Sequence, residues 1–264
     1  MLVSNEITEV EKFEQLNWNK QGSDILILNS PTTHTLQVPN STPKQKKSKT
    51  PFLSSSPPYS AEKPLLLLDL DGTLAMMSTK KKSSIRSPDF TFCMGTDKIF
   101  GWQRACLEEF LFWANQHFNV YIWTASFGGY AKKVIECITA NSLLLQSLVT
   151  IYHPNDTQDG PLRLPVQGIF EKDECEAEWK GATLITKNLR QLMKRHFPLV
   201  NLENVVVIDN DFYTFRLNSS NAIPIGTFAG EDDFELHDIM TFLRDEYLPT
   251  RVNQSESNQP WYSQ

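Results

Sequence analysis

The chain has 264 residues, 40% of them hydrophobic and 21% charged, and a formal net charge of -6, which allows one sizeable domain with extensions or two small ones. The acidic balance argues against a general nucleic-acid binder, which carries a basic domain, though not against a local basic patch. The four cysteines, Cys93, Cys106, Cys137 and Cys175, are widely spaced without a CxxC pair, so neither a zinc site nor a disulfide framework is suggested and reduced, structural thiols are expected.

The first residues, MLVSNEITEVEKFEQ, are acidic and show no basic region followed by an apolar one. No stretch approaches the ~18 apolar residues of a membrane span, so a soluble intracellular protein, nuclear or cytoplasmic, is expected. Residues 1–22 carry a weak helical pattern (Ile7, Val10, Phe13, Leu16), and DILIL at 24–28 suits a lone strand. From Asn29 to Lys63, Ser, Thr, Pro and Lys dominate, too little apolar surface to offset ordering entropy. Residues 1–63 are therefore expected to be a disordered or weakly structured extension. Lys44, Lys46, Lys47 and Lys49 within it read as solvated charge ahead of a nuclear-import signal.

PLLLLDLDGTL at 64–74 has the length of a strand buried on both faces, and its end delivers Asp69 and Asp71. After a second Lys cluster at 80–82, a loop with one or two short strands near DFTFCM is placed to cover a site as a flap. Trp102 to Phe118 shows helical spacing, VYIWTAS at 120–126 reads as a second buried strand ending in Thr124, Ala125 and Ser126, and Tyr130 to Ile138 begins a helix. Residues 139–182 read as an insertion on the catalytic side. Thr186 to His196 looks helical, NVVVIDN at 204–210 repeats the opening pattern with Asp209 and Asn210 at its end, IPIGTF is a short strand, residues 231–248 form an amphipathic helix and residues 249–264 a polar tail. This alternation predicts an α/β fold, a Rossmann-like parallel sheet with helices on both faces over 64–248, its polar strand ends side by side. Open sheets of this kind place their ligands at such ends.

Taken from the residues alone, Asp69 is a candidate nucleophile and Asp71 a candidate general acid and base, because a carboxylate can attack phosphorus and divide one hard displacement into two easier ones. Carboxylates repel a phosphate dianion, so a cation is needed. Mg²⁺ takes one or two carboxylates with waters and phosphate, which Asp69, Asp209 and Asn210 can provide. Lys187 is the best-placed point charge for phosphate oxygens. The bland alternatives are a turn or helix cap for the Asp pair, a cap for Thr124 and Ser126, and surface charge for Lys187. It is their order along the chain, each at the expected element, that favours a site.

DLDGTL resembles the first motif of the haloacid dehalogenase superfamily. RACLEEFL at 104–111, VYIWTASFGGYAKKVI at 120–135, ITKNL at 185–189, VVVIDN at 205–210 and NAIPI at 221–225 are similar to its subgroup of RNA polymerase II C-terminal-domain phosphatases. The resemblance implies that Asp69 is the nucleophile and that Asp71 protonates the leaving oxygen and later activates water. It implies Mg²⁺ held by Asp69, the Asp71 carbonyl and Asn210, with Asp209 adjacent or acting through water. Thr73, Thr124, Ala125 and Lys187 would bind the phosphate, and the implied partner is an extended protein segment carrying phosphoserine or phosphothreonine. Asp211 and Phe212 depart from the subgroup's Ser-Pro, and Ala105 and Cys106 from its Pro-Gly. A protein-binding module without catalysis and a small-molecule phosphatase are the alternatives. Asp69 is present where non-enzymes of the subgroup tend to lose it, and no large cap follows Thr73. Neither a nucleic-acid nor a membrane partner is expected, and the oligomeric state is not read from the sequence.

Overall fold

All four side chains of β1 (Leu65–Leu68) are fully buried, because both faces of this strand are covered. Leu66 and Leu68 enter one apolar cluster and Leu65 and Leu67 another, the alternation that a pleated strand imposes. The computed structural model describes residues 60–82, 85–127, 129–152, 165–179 and 183–251. The helix expected in 1–22, the strand at 24–28, the Lys44–Lys49 cluster and the end of the polar tail lie outside the described residues.

In chain order β1 is followed by β2 (Ala75–Ser78), β3 (Phe90–Met94), β4 (Asp97–Gln103), α1 (Leu107–His117), β5 (Asn119–Trp123), α2 (Tyr130–Ala140), α3 (Leu143–Tyr152), β6 (Gly168–Phe170), β7 (Glu176–Trp179), β8 (Thr183–Thr186), α4 (Leu189–His196), β9 (Val205–Asp209), α5 (Phe212–Phe215), β10 (Ala222–Pro224) and α6 (Glu235–Phe242). Five strands form a parallel sheet in the order β10-β9-β1-β5-β6. On one face α1, α2, α3 and α6 pack through Phe110, Val134, Leu145 and Leu236, and on the other α4 packs through Leu189, Leu192 and Met193. This is the predicted α/β architecture. Among the described residues no helix is long and apolar enough to cross a membrane.

The expected flap is a three-stranded antiparallel sheet, β2-β4-β3, inserted directly after the DLDGTL turn. It takes in Trp102, which the helical spacing had assigned to a helix over 102–118. Trp102 is fully buried on β4 beside Met76 and Phe228, and its indole nitrogen donates to the Arg86 carbonyl at 2.7 Å. The helix cannot reach back to it, because Cys106 at the helix start has φ 59, a left-handed backbone that interrupts a right-handed helix. Gly101 allows the flap to close on itself: a Cβ there would stand 2.1 Å from the Phe90 ring.

Residues 139–182 are less of an insertion than their sequence suggests. They contribute α3, packed on the central core through Leu145, and β6, the edge strand beside β5, and only β7 pairs outside the central sheet, with β8. The helix expected over 186–196 starts at Leu189, where the Asn188 side chain caps it by accepting from the Gln191 amide. The residues just before Pro64 are tied to the sheet, since the Asn119 side-chain amide nitrogen donates to the carbonyls of Ser60 (2.6 Å) and Lys63 (2.8 Å). At the other end α6 continues through a π-helical turn, Leu243–Tyr247, and helical backbone runs on to Arg251.

Candidate active site

The register sets the site. Leu68 lies opposite Ile208 on β9 and Ile122 on β5, so Asp69 leaves the sheet level with Asp209, and the Asp69 amide donates to the Ile208 carbonyl at 2.9 Å. Lys187 enters between them from the β8–α4 connection. Its ammonium donates to Asp69 Oδ1 and Asp209 Oδ2, each at 2.6 Å, with the lysine side chain only 1% exposed, so it is not surface charge. Burial alone would pull the ammonium down, but the two carboxylates outweigh it and hold it charged above the ordinary lysine range. For Asp69 burial is the largest influence, and with the repulsion of Asp209 and Asp71 it outweighs Lys187, leaving the carboxyl pushed up to about 7.

Asp71 is held by a different pair. Tyr130, at the start of α2, donates its hydroxyl to Oδ1 at 2.7 Å, and Ser126 donates to Oδ2 at 2.9 Å. Burial raises the Asp71 carboxyl above its usual range and these two donors partly offset that. Burial, and then the Asp71 charge, raises the Tyr130 hydroxyl as well, so it stays a donor. The flap reaches this corner, with the Phe92 ring 6.3 Å from that of Tyr130.

Thr73 and Asn210 are joined twice. The Thr73 hydroxyl donates to Asn210 Oδ1 at 2.9 Å and accepts from the Asn210 amide at 3.2 Å. Gly72 makes room for this with φ 82, and a Cβ there would come within 2.7 Å of Asn210 Nδ2. Thr124 is buried at the end of β5, its hydroxyl accepting from the Ser126 amide at 3.1 Å, and Ala125 lies half-buried in the same turn. Asp69, Asp71, Thr73, Thr124, Lys187, Asp209 and Asn210 thus belong to one end of the sheet, on the adjacent strands β9, β1 and β5 and the β8–α4 connection.

Thr214 and Asn218 at this end carry no motif signal. Thr214 donates to Asp209 Oδ2 at 2.8 Å and its carbonyl accepts from the Lys187 amide at 2.6 Å. Asn218 completes that grip, its amide nitrogen donating to the Lys187 carbonyl and its oxygen accepting from the Leu189 amide. Arg104, 2% exposed, donates to the Thr73 carbonyl at 3.1 Å. Asp211, where the related motif has Ser, caps α5 by accepting from the Tyr213 amide, and Phe212 is exposed beside it. All four cysteines are free, and burial raises the Cys175 thiol to about 11, which makes it inert.

Asp69, Asp71 and Asp209, with Asp211 beside them, face the ammonium of Lys187. That excess of negative charge, with side-chain oxygens on Asp69, Asp209 and Asn210, suits a small divalent cation such as Mg²⁺. Among the described residues no three His, Cys, Asp or Glu side chains form a ready-made cage. Mg²⁺ does not require one, since it keeps several waters.

Residues 64–252, which include all ten strands, match the family model described as NLI interacting factor-like phosphatase. The chain belongs to this family. Its curated relatives include CTD small phosphatase-like protein 1 of Caenorhabditis elegans, 26% identical over 78% of this chain and 38% of that protein. CTD small phosphatase-like protein 2 of Dictyostelium discoideum is 30% identical over 70% of this chain and 28% of that one. Phosphatase PSR1 of Saccharomyces cerevisiae is 25% identical over 72% and 38%. The chain spans less than half the length of each of these three relatives. Among solved structures, that of Fcp1, an essential RNA polymerase II CTD phosphatase, covers 75% of this chain and 54% of its own with a TM-score of 0.41 and 19% identity. As a member of the NLI interacting factor-like family, the domain is a C-terminal-domain phosphatase-like branch of the haloacid dehalogenase superfamily.

Proposed function

We propose that the chain is a Mg²⁺-dependent phosphatase that forms an aspartyl-phosphate on Asp69 and acts on phosphoserine or phosphothreonine in an extended protein segment. The observation that carries this reading is the division of labour between the two carboxylates: Asp69 is paired with the Lys187 ammonium, and Asp71 is paired with two hydroxyls. Asp69, held ionised once a dication joins Lys187, has the charge of a nucleophile. Asp71, raised by burial, can carry a proton.

An Asp69 oxygen forms a bond to phosphorus as the bond from phosphorus to the serine or threonine oxygen breaks, and the Asp71 proton passes to that oxygen. The Ser126 hydroxyl, donor and acceptor alike, can turn to follow the proton. A water then attacks phosphorus, giving its proton to Asp71, and the Asp69–phosphorus bond breaks to release phosphate. Lys187 and the turn at Thr124–Ser126 would bind the phosphoryl oxygens, and the bound dication would neutralise the charge that three carboxylates bring against the incoming dianion. The Mg²⁺ ligands in this reading are Asp69, the Asp71 carbonyl, Asn210 and, adjacent or through water, Asp209.

A protein substrate is supported by the small size of the covering element. Among the described residues Thr73 is followed by a three-stranded sheet, not by a separate cap domain, and an open mouth suits a macromolecule. A phosphopeptide array tests the class. Wild type should release phosphate from phosphoserine or phosphothreonine peptides while Asp69→Asn retains them; activity confined to small metabolites would reject the protein-substrate part. EDTA should abolish turnover of an aryl phosphate and excess Mg²⁺ should restore it, whereas turnover indifferent to chelation would remove the dication from the mechanism.

A further inference from the structure

A buried arginine is costly unless each donor is used, and Arg104 uses its donors on two separate loops. One is the DLDGTL turn: Nη1 donates to the Thr73 carbonyl at 3.1 Å, and the Arg104 amide donates to the Leu74 carbonyl at 3.0 Å. The other is the connection from β10 to α6. Nε donates to both oxygens of Asp233, at 2.9 and 3.0 Å, Nη2 lies 3.4 Å from Glu235, and the guanidinium stands 5.6 Å from the Phe228 ring centroid. The two loops also bond directly, the Phe228 amide donating to the Gly72 carbonyl at 2.7 Å.

Asn210 sits between these loops and is held by one threonine from each. Thr73 Oγ1 donates to Oδ1 at 2.9 Å, and Nδ2 donates to Thr227 Oγ1 at 3.1 Å. The orientation of the Asn210 amide, and so the direction of its free lone pair, depends on the spacing of the two threonines. Arg104 spans the same gap from the buried side.

We infer that Arg104 is a positioning residue that sets the Asn210 side chain for divalent-cation binding by tying the Thr73 turn to the Thr227–Asp233 loop. This rests on the reading of Asn210 as a cation ligand. Orienting contacts of this kind typically change metal affinity by about 10–100-fold when removed.

The test is Mg²⁺ binding by calorimetry, without substrate, on the wild-type chain and on Asn210→Ala, Arg104→Gln, Arg104→Lys, Asp233→Asn and Thr227→Val. Arg104→Gln should weaken Mg²⁺ binding by about 10–100-fold, with Arg104→Lys intermediate, since one ammonium can hold one loop but lacks the fork that spans both. At saturating Mg²⁺ the kcat of Arg104→Lys on an aryl phosphate should return to within about threefold of wild type, a recovery that a merely structural lesion would not give. Should Arg104→Gln fail to fold, the exposed-site change Thr227→Val and Asp233→Asn carry the test, each expected to weaken binding several-fold. If Asn210→Ala weakens binding while the Arg104, Asp233 and Thr227 variants that fold stay within about twofold of wild type, the inference is overturned. If wild type binds no Mg²⁺, or Asn210→Ala binds as wild type, the reading of Asn210 as a ligand fails instead, and the inference with it.

Discussion

Asp69→Asn should abolish turnover of an aryl phosphate while leaving the fold intact. The amide oxygen cannot form the phosphoenzyme, and loss of the covalent route should cost at least about 10⁴ in rate, or about 5.4 kcal/mol of barrier at 1.36 kcal/mol per decade. The fold should survive because burial already holds the Asp69 carboxyl up near 7, which means that the folded chain gains little from ionising it. The sign follows from that direction. A carboxyl whose folded pKa lies above its unfolded value favours the folded state below the unfolded value and loses that contribution as pH rises through about 7. Asparagine removes this dependence, and Lys187 keeps Asp209 as a partner. In EDTA at pH 8 the variant should therefore melt no more than a few degrees below wild type, as followed by circular dichroism. Turnover retained by a folded Asp69→Asn would reject Asp69 as the nucleophile.

The parts of this domain that the sequence displays are those in which one segment does one job. Leu65–Leu68 reads as a doubly buried strand because four consecutive leucines leave no polar face, and Val205–Asp209 reads the same way. Their acidic ends then announce the site. Trp102 reads as helical because the 102–118 spacing suits a helix on either side of Cys106, and a cysteine with a left-handed backbone lacks the glycine signal that the related motif carries at that position. The edge strand Gly168–Phe170 is three residues long, too short to show a period.

Contacts that tune the site were hidden for another reason. Lys187 is gripped by Thr214 and Asn218, and Arg104 pairs with Asp233 across 129 positions, so partners of ordinary polar type are brought together by the sheet order alone. The departures from the related motif are absorbed in the same local way. The Asp211 side chain caps α5 by accepting from the Tyr213 amide, while its backbone amide, which any residue but proline would supply, donates to Asp209 Oδ1 at 2.8 Å.

Lys187→Ala should cost about 10³ in kcat or more, the scale of losing a preorganised charge at the reacting phosphoryl group. It should also change how stability depends on pH, which separates it from Asp69→Asn. Without the ammonium, Asp69 and Asp209 are left facing each other in a buried site, where removing one partner of such a pair costs about 3–5 kcal/mol. Lys187 now opposes the burial that raises Asp69, so its loss sends that carboxyl further up. The stability of the variant is then retained at low pH, where the Asp69 carboxyl is protonated, and lost as pH rises through its elevated folded value. Its melting temperature at pH 5 should exceed that at pH 8 in EDTA by a wider margin than in wild type, and Mg²⁺ should recover part of the difference at pH 8. Lys187→Met, which refills the volume, should share the lost activity. A rate within about tenfold of wild type, in a variant whose melting shows wild-type pH dependence, would remove Lys187 from both the phosphate site and the charge balance that holds Asp69 and Asp209 together.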